Sequence, residues 1–221
     1  MQALNLISAD IPAVGKTDSG ITALNWMSES RVSHLPVVDE DEYVGLLSDI
    51  DLYNMPNIDA PAVSSRIVLH RPFVYQNKHL FEVLDLAAKT RISVIPVLDD
   101  ANRYVGSIVA ADMVRELSSL ISSDMPGAII VLEMNVRDYS LSQISQIVEG
   151  NDTRILDVFV QNQPQSELIR VTLRLNRTDI ASVLQTFERY SYSVIEIYSD
   201  DQQHGSMLLD RYNSFMKYLS I

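Results

Sequence analysis

One stretch of this chain occurs twice. Arg31-Val32-Ser33-His34-Leu35-Pro36-Val37-Val38-Asp39 returns sixty residues later as Arg91-Ile92-Ser93-Val94-Ile95-Pro96-Val97-Leu98-Asp99, with five of the nine positions identical. Pro12 and Val14 return at the same offset as Pro72 and Val74. Tyr43-Val44-Gly45 and Asp51 return one step later, as Tyr104-Val105-Gly106 and Asp112. The slip falls in an acidic loop, where an inserted residue costs little. A repeat of this period restricts the fold to two copies of one small unit, each too small to bury a core alone, packed as a single body.

Each copy has the same local pattern. Apolar residues at helical spacing come first, Ile21, Leu24 and Met27 in one copy and Leu80, Val83, Leu84 and Ala87 in the other. A short apolar strand follows, Leu35 to Val38 or Ile95 to Leu98, then an Asp-rich turn. A second strand, Tyr43 to Leu47 or Tyr104 to Val109, leads to a closing helix, Asp49 to Tyr53 or Ala111 to Leu120.

These motifs, R-h-S-x-h-P-V-h-D followed by Y-V-G-h-h-S-x-x-D-h, resemble the cystathionine-β-synthase-type module, the CBS domain, present here as a pair. The expected domain spans residues 1–124, with repeats of about 1–60 and 61–124. The resemblance implies an adenosyl ligand, AMP, ADP, ATP, S-adenosylmethionine or a relative, held in a cleft between the repeats. A carboxylate can accept both vicinal hydroxyls of a ribose through charge-assisted bonds. Asp51 and Asp112 stand where the family places that carboxylate. Three residues earlier the family carries a hydroxyl, which Ser48 provides and Val109 does not, so the Asp51 site is expected to be the better one.

By the same resemblance, Arg31 and Arg91 would reach phosphate, with Arg31 serving the Ser48/Asp51 site and Arg91 the Asp112 site. Pro72, Ile92 and Val94 would enclose the base at the first site, and Pro12, Val32 and His34 at the second. Plainer readings stand beside these. Ser48 and the two aspartates suit helix starts, the arginines suit solvated helix ends, and Trp26 suits core packing.

The pattern changes after Met125-Pro126-Gly127. Strand-like runs at Ala128 to Met134, Ile155 to Val160, Ile169 to Leu175 and Val194 to Tyr198 alternate with helical faces at Leu141 to Val148 and Ile180 to Phe187. The order β-α-β-β-α-β is ferredoxin-like, and Leu208 to Leu219 predicts a terminal helix. Residues 125–221 are therefore expected to form a second domain. Beside a CBS pair this topology resembles an ACT-type regulatory domain, an arrangement similar to acetoin-utilisation-type proteins. Amino-acid-binding members carry glycine in the first strand–helix loop. Tyr139 stands there, which argues against an amino-acid ligand. The fold class expected is thus α/β (α+β), a tandem CBS pair plus a βαββαβ domain.

Composition narrows the partners. A formal net charge of −12 opposes binding to nucleic acid or anionic lipid. Cysteine is absent, and the histidines have no metal-ligand spacing. No catalytic motif is present. The N-terminus lacks a signal-peptide pattern and the apolar runs are short, so a cytoplasmic location is expected. The function expected is non-catalytic regulation, with no required cofactor, a homodimer as the assembly and an unnamed enzyme as a possible partner. Two alternatives are a ligand-free dimerisation scaffold and an amino-acid-responsive ACT regulator.

Overall fold

The computed structural model describes residues 1–63, 69–121 and 125–199. The described residues divide into two compact units, with the division after Leu117. The terminal helix expected at Leu208 to Leu219 lies outside the described residues.

In the first unit the repeat is directly visible. Copy one runs α1 (Gly20–Glu29), β1 (His34–Asp39), β2 (Glu42–Ser48) and α2 (Asp49–Tyr53). Copy two runs β3 (Val74–Tyr75), α3 (Leu80–Thr90), β4 (Val94–Leu98), β5 (Tyr104–Val109) and α4 (Asp112–Leu120). Both hairpins are antiparallel, and both carry an irregularity at the same place, between Val37 and Val38 and between Val97 and Leu98. The Pro12/Val14 and Pro72/Val74 match also has a structural meaning. Val14 bridges Val37 in parallel, and Val74 pairs with Val97 in parallel. Arg31 and Arg91, each just past its first helix, both adopt φ of 56°, the left-handed conformation that ends a helix.

The two copies exchange core residues. Val94 of the second copy is buried with Val14, Met27, Leu35 and Leu47 of the first. Leu46 of the first is buried with Leu80, Val83, Ile95 and Ile108 of the second. The extreme N-terminus joins that second core: a short 3-10 turn at Ala3–Leu6 buries Ala3 and Leu6 there. Residues 1–8 therefore belong in space to the second copy, although they precede the first in sequence. Ser8 donates its backbone N–H to Ser107 of β5 at 2.9 Å. Leu46 of β2 donates to His70 at 2.8 Å, the reciprocal arrangement. The glycines in each Tyr-Val-Gly admit these segments. A Cβ on Gly45 would lie 2.5 Å from Leu69 Cβ, and one on Gly106 would lie 2.6 Å from Ile7 Cγ2.

The second unit runs β6 (Ala128–Asn135), α5 (Leu141–Glu149), β7 (Ile155–Asn162), β8 (Leu168–Leu175), α6 (Ala181–Arg189) and β9 (Ser193–Ser199). Its strands order as β7-β8-β6-β9, all antiparallel, which is the ferredoxin-like arrangement. Alternate residues of β8, Ile169, Val171, Leu173 and Leu175, are buried. They meet Ile144, Ile147 and Val148 of α5 and Val183, Leu184 and Phe187 of α6 in one core. Ser140 caps α5, accepting from the Gln143 N–H at 3.4 Å. Tyr139 packs half-buried against the same core.

Candidate functional site

An open cavity of about 1120 Å³ lies in the first unit, between the N-terminal segment, the end of α1, β5 and α4. Its apolar walls include Pro12, Trp26, Ile108 and Val109. Its charged lining includes Arg31 and Asp112.

Asp112 opens α4, where its carboxylate also complements the helix dipole. Its side chain is 44% exposed. Ser8 reaches it from the N-terminal segment: Ser8 Oγ donates to Asp112 Oδ2 at 3.1 Å and accepts the Val109 N–H at 3.3 Å. The hydroxyl that position 109 lacks is thus brought in from a hundred residues away. Arg115, one turn along α4, sits 3.7 Å from Asp112 Oδ1. Trp26 serves two purposes, since it packs against the core of the first copy and lines the cavity.

The Ser48/Asp51 pair is arranged differently. Ser48 caps α2 by accepting the Asp51 N–H at 3.1 Å, and Asp51 Oδ2 takes both the Ser48 N–H at 3.0 Å and the Ser48 hydroxyl at 2.6 Å. This is a closed capping box. One carboxylate oxygen of Asp51 is therefore already committed to its own helix.

The remaining expected residues are spread around the unit. Arg31, expected with Asp51, lines the cavity that holds Asp112. Arg91 is exposed at the end of α3. Val32 and Val94 are buried in one core and Ile92 in the other. The Pro72 carbonyl accepts the Tyr43 hydroxyl at 3.0 Å. Burial of that tyrosine pushes its pKa well up.

His34 sits where the two motif strands meet. Its Nδ1 is 3.0 Å from Ser33 Oγ, 3.1 Å from Ser93 Oγ, and accepts the Ser93 N–H at 3.3 Å. The Ser33 N–H donates to Ser93 Oγ at 3.0 Å. A ring nitrogen that accepts a backbone N–H must be unprotonated, and burial lowers the His34 pKa, outweighing the carboxylates of Asp49 and Asp51. The serines of the two repeated motifs thus bond the copies to each other through this ring.

Among the described residues no group of three or more histidines and carboxylates is gathered for a metal ion, and no helix is long and apolar enough to cross a membrane.

A family model described as "CBS domain" matches residues 4–55 and 63–119. Residues 4–119 form a tandem CBS-domain pair. The chain also matches individual relatives. The chain is 28% identical over 117 residues to inosine-5′-monophosphate dehydrogenase of Methanocaldococcus jannaschii, covering 52% of this chain and 23% of that protein. It is 25% identical over 123 residues to Hypoxic response protein 1 of Mycobacterium tuberculosis, covering 52% of this chain and 84% of that one. The chain thus spans only about a quarter of the dehydrogenases it matches, 23% and 26% of their lengths. A solved CBS domain pair/ACT domain protein from Thermotoga maritima shares the fold, with a TM-score of 0.50 and 20% identity over 55% of this chain and 100% of that one.

Proposed function

We propose that the CBS pair is a non-catalytic sensor that binds an adenosyl compound in the Asp112 cavity and relays its presence as a conformational bias. The observation that carries this is the Ser8–Asp112 pair on the wall of a cavity large enough for a nucleoside. A ribose presents two adjacent hydroxyl donors, and a half-exposed carboxylate with a serine hydroxyl beside it accepts them. Pro12, Trp26, Ile108 and Val109 offer apolar contact for a base, and Arg31 and Arg115 offer guanidinium groups to a 5′ substituent. The closed capping box at Ser48/Asp51 favours the Asp112 cavity as the principal site, the reverse of the ranking drawn from the sequence.

Calorimetry with adenosine, AMP, ADP, ATP and S-adenosylmethionine tests this. At least one compound binds and raises the melting temperature in proportion to the logarithm of its excess over Kd. Asp112→Ala abolishes the binding and Asp51→Ala leaves most of it. Absence of binding by all five at millimolar concentration refutes the sensor.

A second reading, an assembly module that needs no ligand, is favoured by β7. This strand lies at the edge of the described sheet and leaves Phe159 and Val160 about half exposed, at 47% and 48%. It is distinguished by a dimer in sedimentation whose melting temperature ignores every adenosyl compound. An ACT-type role for the second unit rests on the ferredoxin-like strand order. Amino-acid binding there is opposed by Tyr139, and Tyr139→Gly is the variant that probes it.

A further inference from the structure

The seam between the two copies holds a cluster separate from the Asp112 cavity. Three donors converge there on one acceptor. The Ser93 N–H points at His34 Nδ1 at 3.3 Å, and the Ser33 and Ser93 hydroxyls stand 3.0 and 3.1 Å from the same nitrogen. Ser93 Oγ accepts the Ser33 N–H at 3.0 Å, which leaves its own proton for the ring. A backbone N–H cannot turn away as a hydroxyl can, so the neutral ring carries its proton on Nε2. Val94 holds the equivalent position in the second copy, where it is fully buried and cannot titrate. The cluster therefore exists once, at the seam of a repeated structure.

The charged groups that face the ring are Asp49 and Asp51, both on α2. The β2 strand sets the uncharged Ser48 opposite His34, and the second copy sets the uncharged Ser93 against it. Burial holds the ring's proton affinity below that of an ordinary histidine, against the pull of the two carboxylates. Adding a proton turns the one acceptor into a fourth donor, facing a backbone N–H that cannot reorient. The β1–β2 and β4–β5 ladders are made of backbone groups and do not use the ring. We infer that Ser33, His34 and Ser93 form a proton-operated latch between the two CBS copies: it is closed while the ring is neutral and opens when the ring is protonated, with each copy's hairpin left intact. The carbonyls of the same serines carry the change onward. Ser33 accepts the Asp49 N–H at 3.0 Å at the start of α2, and Ser93 accepts the Ala110 N–H at 2.9 Å, just ahead of Asp112.

The test is nuclear magnetic resonance on the unaltered, isotope-labelled full chain, taken from neutral to mildly acidic pH. The ring nitrogens of His34 report the Nε2–H form at high pH and a titration midpoint below about 6.5, the ordinary value. Across that titration, after correction for the intrinsic rate, the Ser33 and Ser93 amides exchange with solvent about tenfold faster or more. The Asp49 and Ala110 resonances move with the same midpoint, and the amides of the two hairpin ladders keep their protection. In His34→Asn the side-chain oxygen replaces Nδ1 as an acceptor that does not titrate, so the Ser93 amide loses its pH response. A midpoint at or above about 6.5 overturns the latch, as does a ring that stays neutral down to about pH 5. Ser33 and Ser93 amides that stay protected while the ring titrates overturn it too, and so does a Ser93 response that persists in His34→Asn. Loss of protection by every amide together also overturns it, because the proton then destabilises the whole unit and opens no local seam. The ring titration and the amide exchange use the unaltered chain, so they decide the matter even if His34→Asn fails to fold. No readout needs a ligand, so the result is independent of adenosyl binding at Asp112.

Discussion

Ser8→Ala is the perturbation that most directly tests how this unit is built. Ser8 Oγ makes two bonds that no neighbour in sequence could supply, one to the Asp112 carboxylate at 3.1 Å and one from the Val109 N–H at 3.3 Å. Loss of the second leaves the amide at the end of β5 unpaired in a half-buried position, a cost of about 1 kcal/mol. The first bond is charge-assisted, but Asp112 is 44% exposed, and solvent screening reduces its value to about 1 kcal/mol. The total is ~2 kcal/mol, about half of it conditional on Asp112. For a unit of this size the melting temperature falls by roughly 6–10 °C.

The assay is a double-mutant cycle of Ser8→Ala, Asp112→Ala and both, followed by urea unfolding with the m-value held as a check on two-state behaviour. The expected coupling is about 1 kcal/mol, because the Ser8–Asp112 bond disappears in either single variant while the Val109 bond is lost only with Ser8. A coupling below about 0.3 kcal/mol shows that the two side chains do not interact. A Ser8→Ala variant as stable as the parent chain refutes more than the bond. It would mean that residues 1–8 do not lie along β5, and the wall of the cavity they form would go with them.

Three other outcomes follow from the packing. Gly45→Ala costs about 1–3 kcal/mol in urea unfolding, since the new Cβ would stand 2.5 Å from Leu69 Cβ and 3.0 Å from the His70 carbonyl, neither of which can swing aside; an unchanged midpoint would show that residues 69–70 do not cross β2. Stability rises with pH through the ordinary histidine range. The lowered pKa of His34 means that the unfolded chain binds the proton more readily, so this contribution is full above about pH 6.5 and is lost as the pH falls towards the folded-state value. His34→Asn flattens that slope in urea midpoints taken across the range, and a slope that persists assigns it elsewhere. In the second unit Phe187→Ala removes a fully buried ring that meets Tyr192 edge to face at 5.5 Å. It costs about 3–5 kcal/mol by chemical unfolding, and a loss under about 1 kcal/mol would contradict the core described for that sheet.

What the sequence disclosed and what it concealed divide along the range of the interactions. Both hairpins and the helices around them were readable because period-2 and helical apolar patterns are local, and because the second copy repeated the first. Ser33 and Ser93 were visible as repeated letters, but not as partners across His34, since a repeat states equivalence and not contact. Ser8 carried no signal at all. It stands in no motif, and its role depends on residues 1–8 crossing to the other copy, a choice made by the burial of Ala3 and Leu6 beside Leu80 and Ile108. Trp26 was read as core because its spacing is that of a buried helix face. The spacing is correct, but the indole is wide enough to fill the core on one side and line the cavity on the other. Arg31, placed with Asp51 by the family resemblance, lines the Asp112 cavity, and no local pattern in the sequence reports which copy's carboxylate a residue past the end of α1 will neighbour.

The exchange of N-terminal segments also explains why two aspartates from one repeated motif have different surroundings. In the first copy the hydroxyl at the end of the strand belongs to Ser48. Nothing prevents it from closing on its own aspartate, and it does, at 2.6 Å. In the second copy the same position is Val109, which cannot cap, so Asp112 is left to an outside hydroxyl and to solvent. The substitution that removes a family feature from the strand is what leaves its carboxylate accessible. A ligand competing for Asp51 must break a local capping box, whereas one approaching Asp112 meets a carboxylate already half exposed, with Ser8 fixed beside it by the Val109 amide. Divergence between the copies at one residue is therefore enough to separate a self-satisfied carboxylate from an accessible one, provided that the segment supplying the replacement hydroxyl is held by the second copy's core.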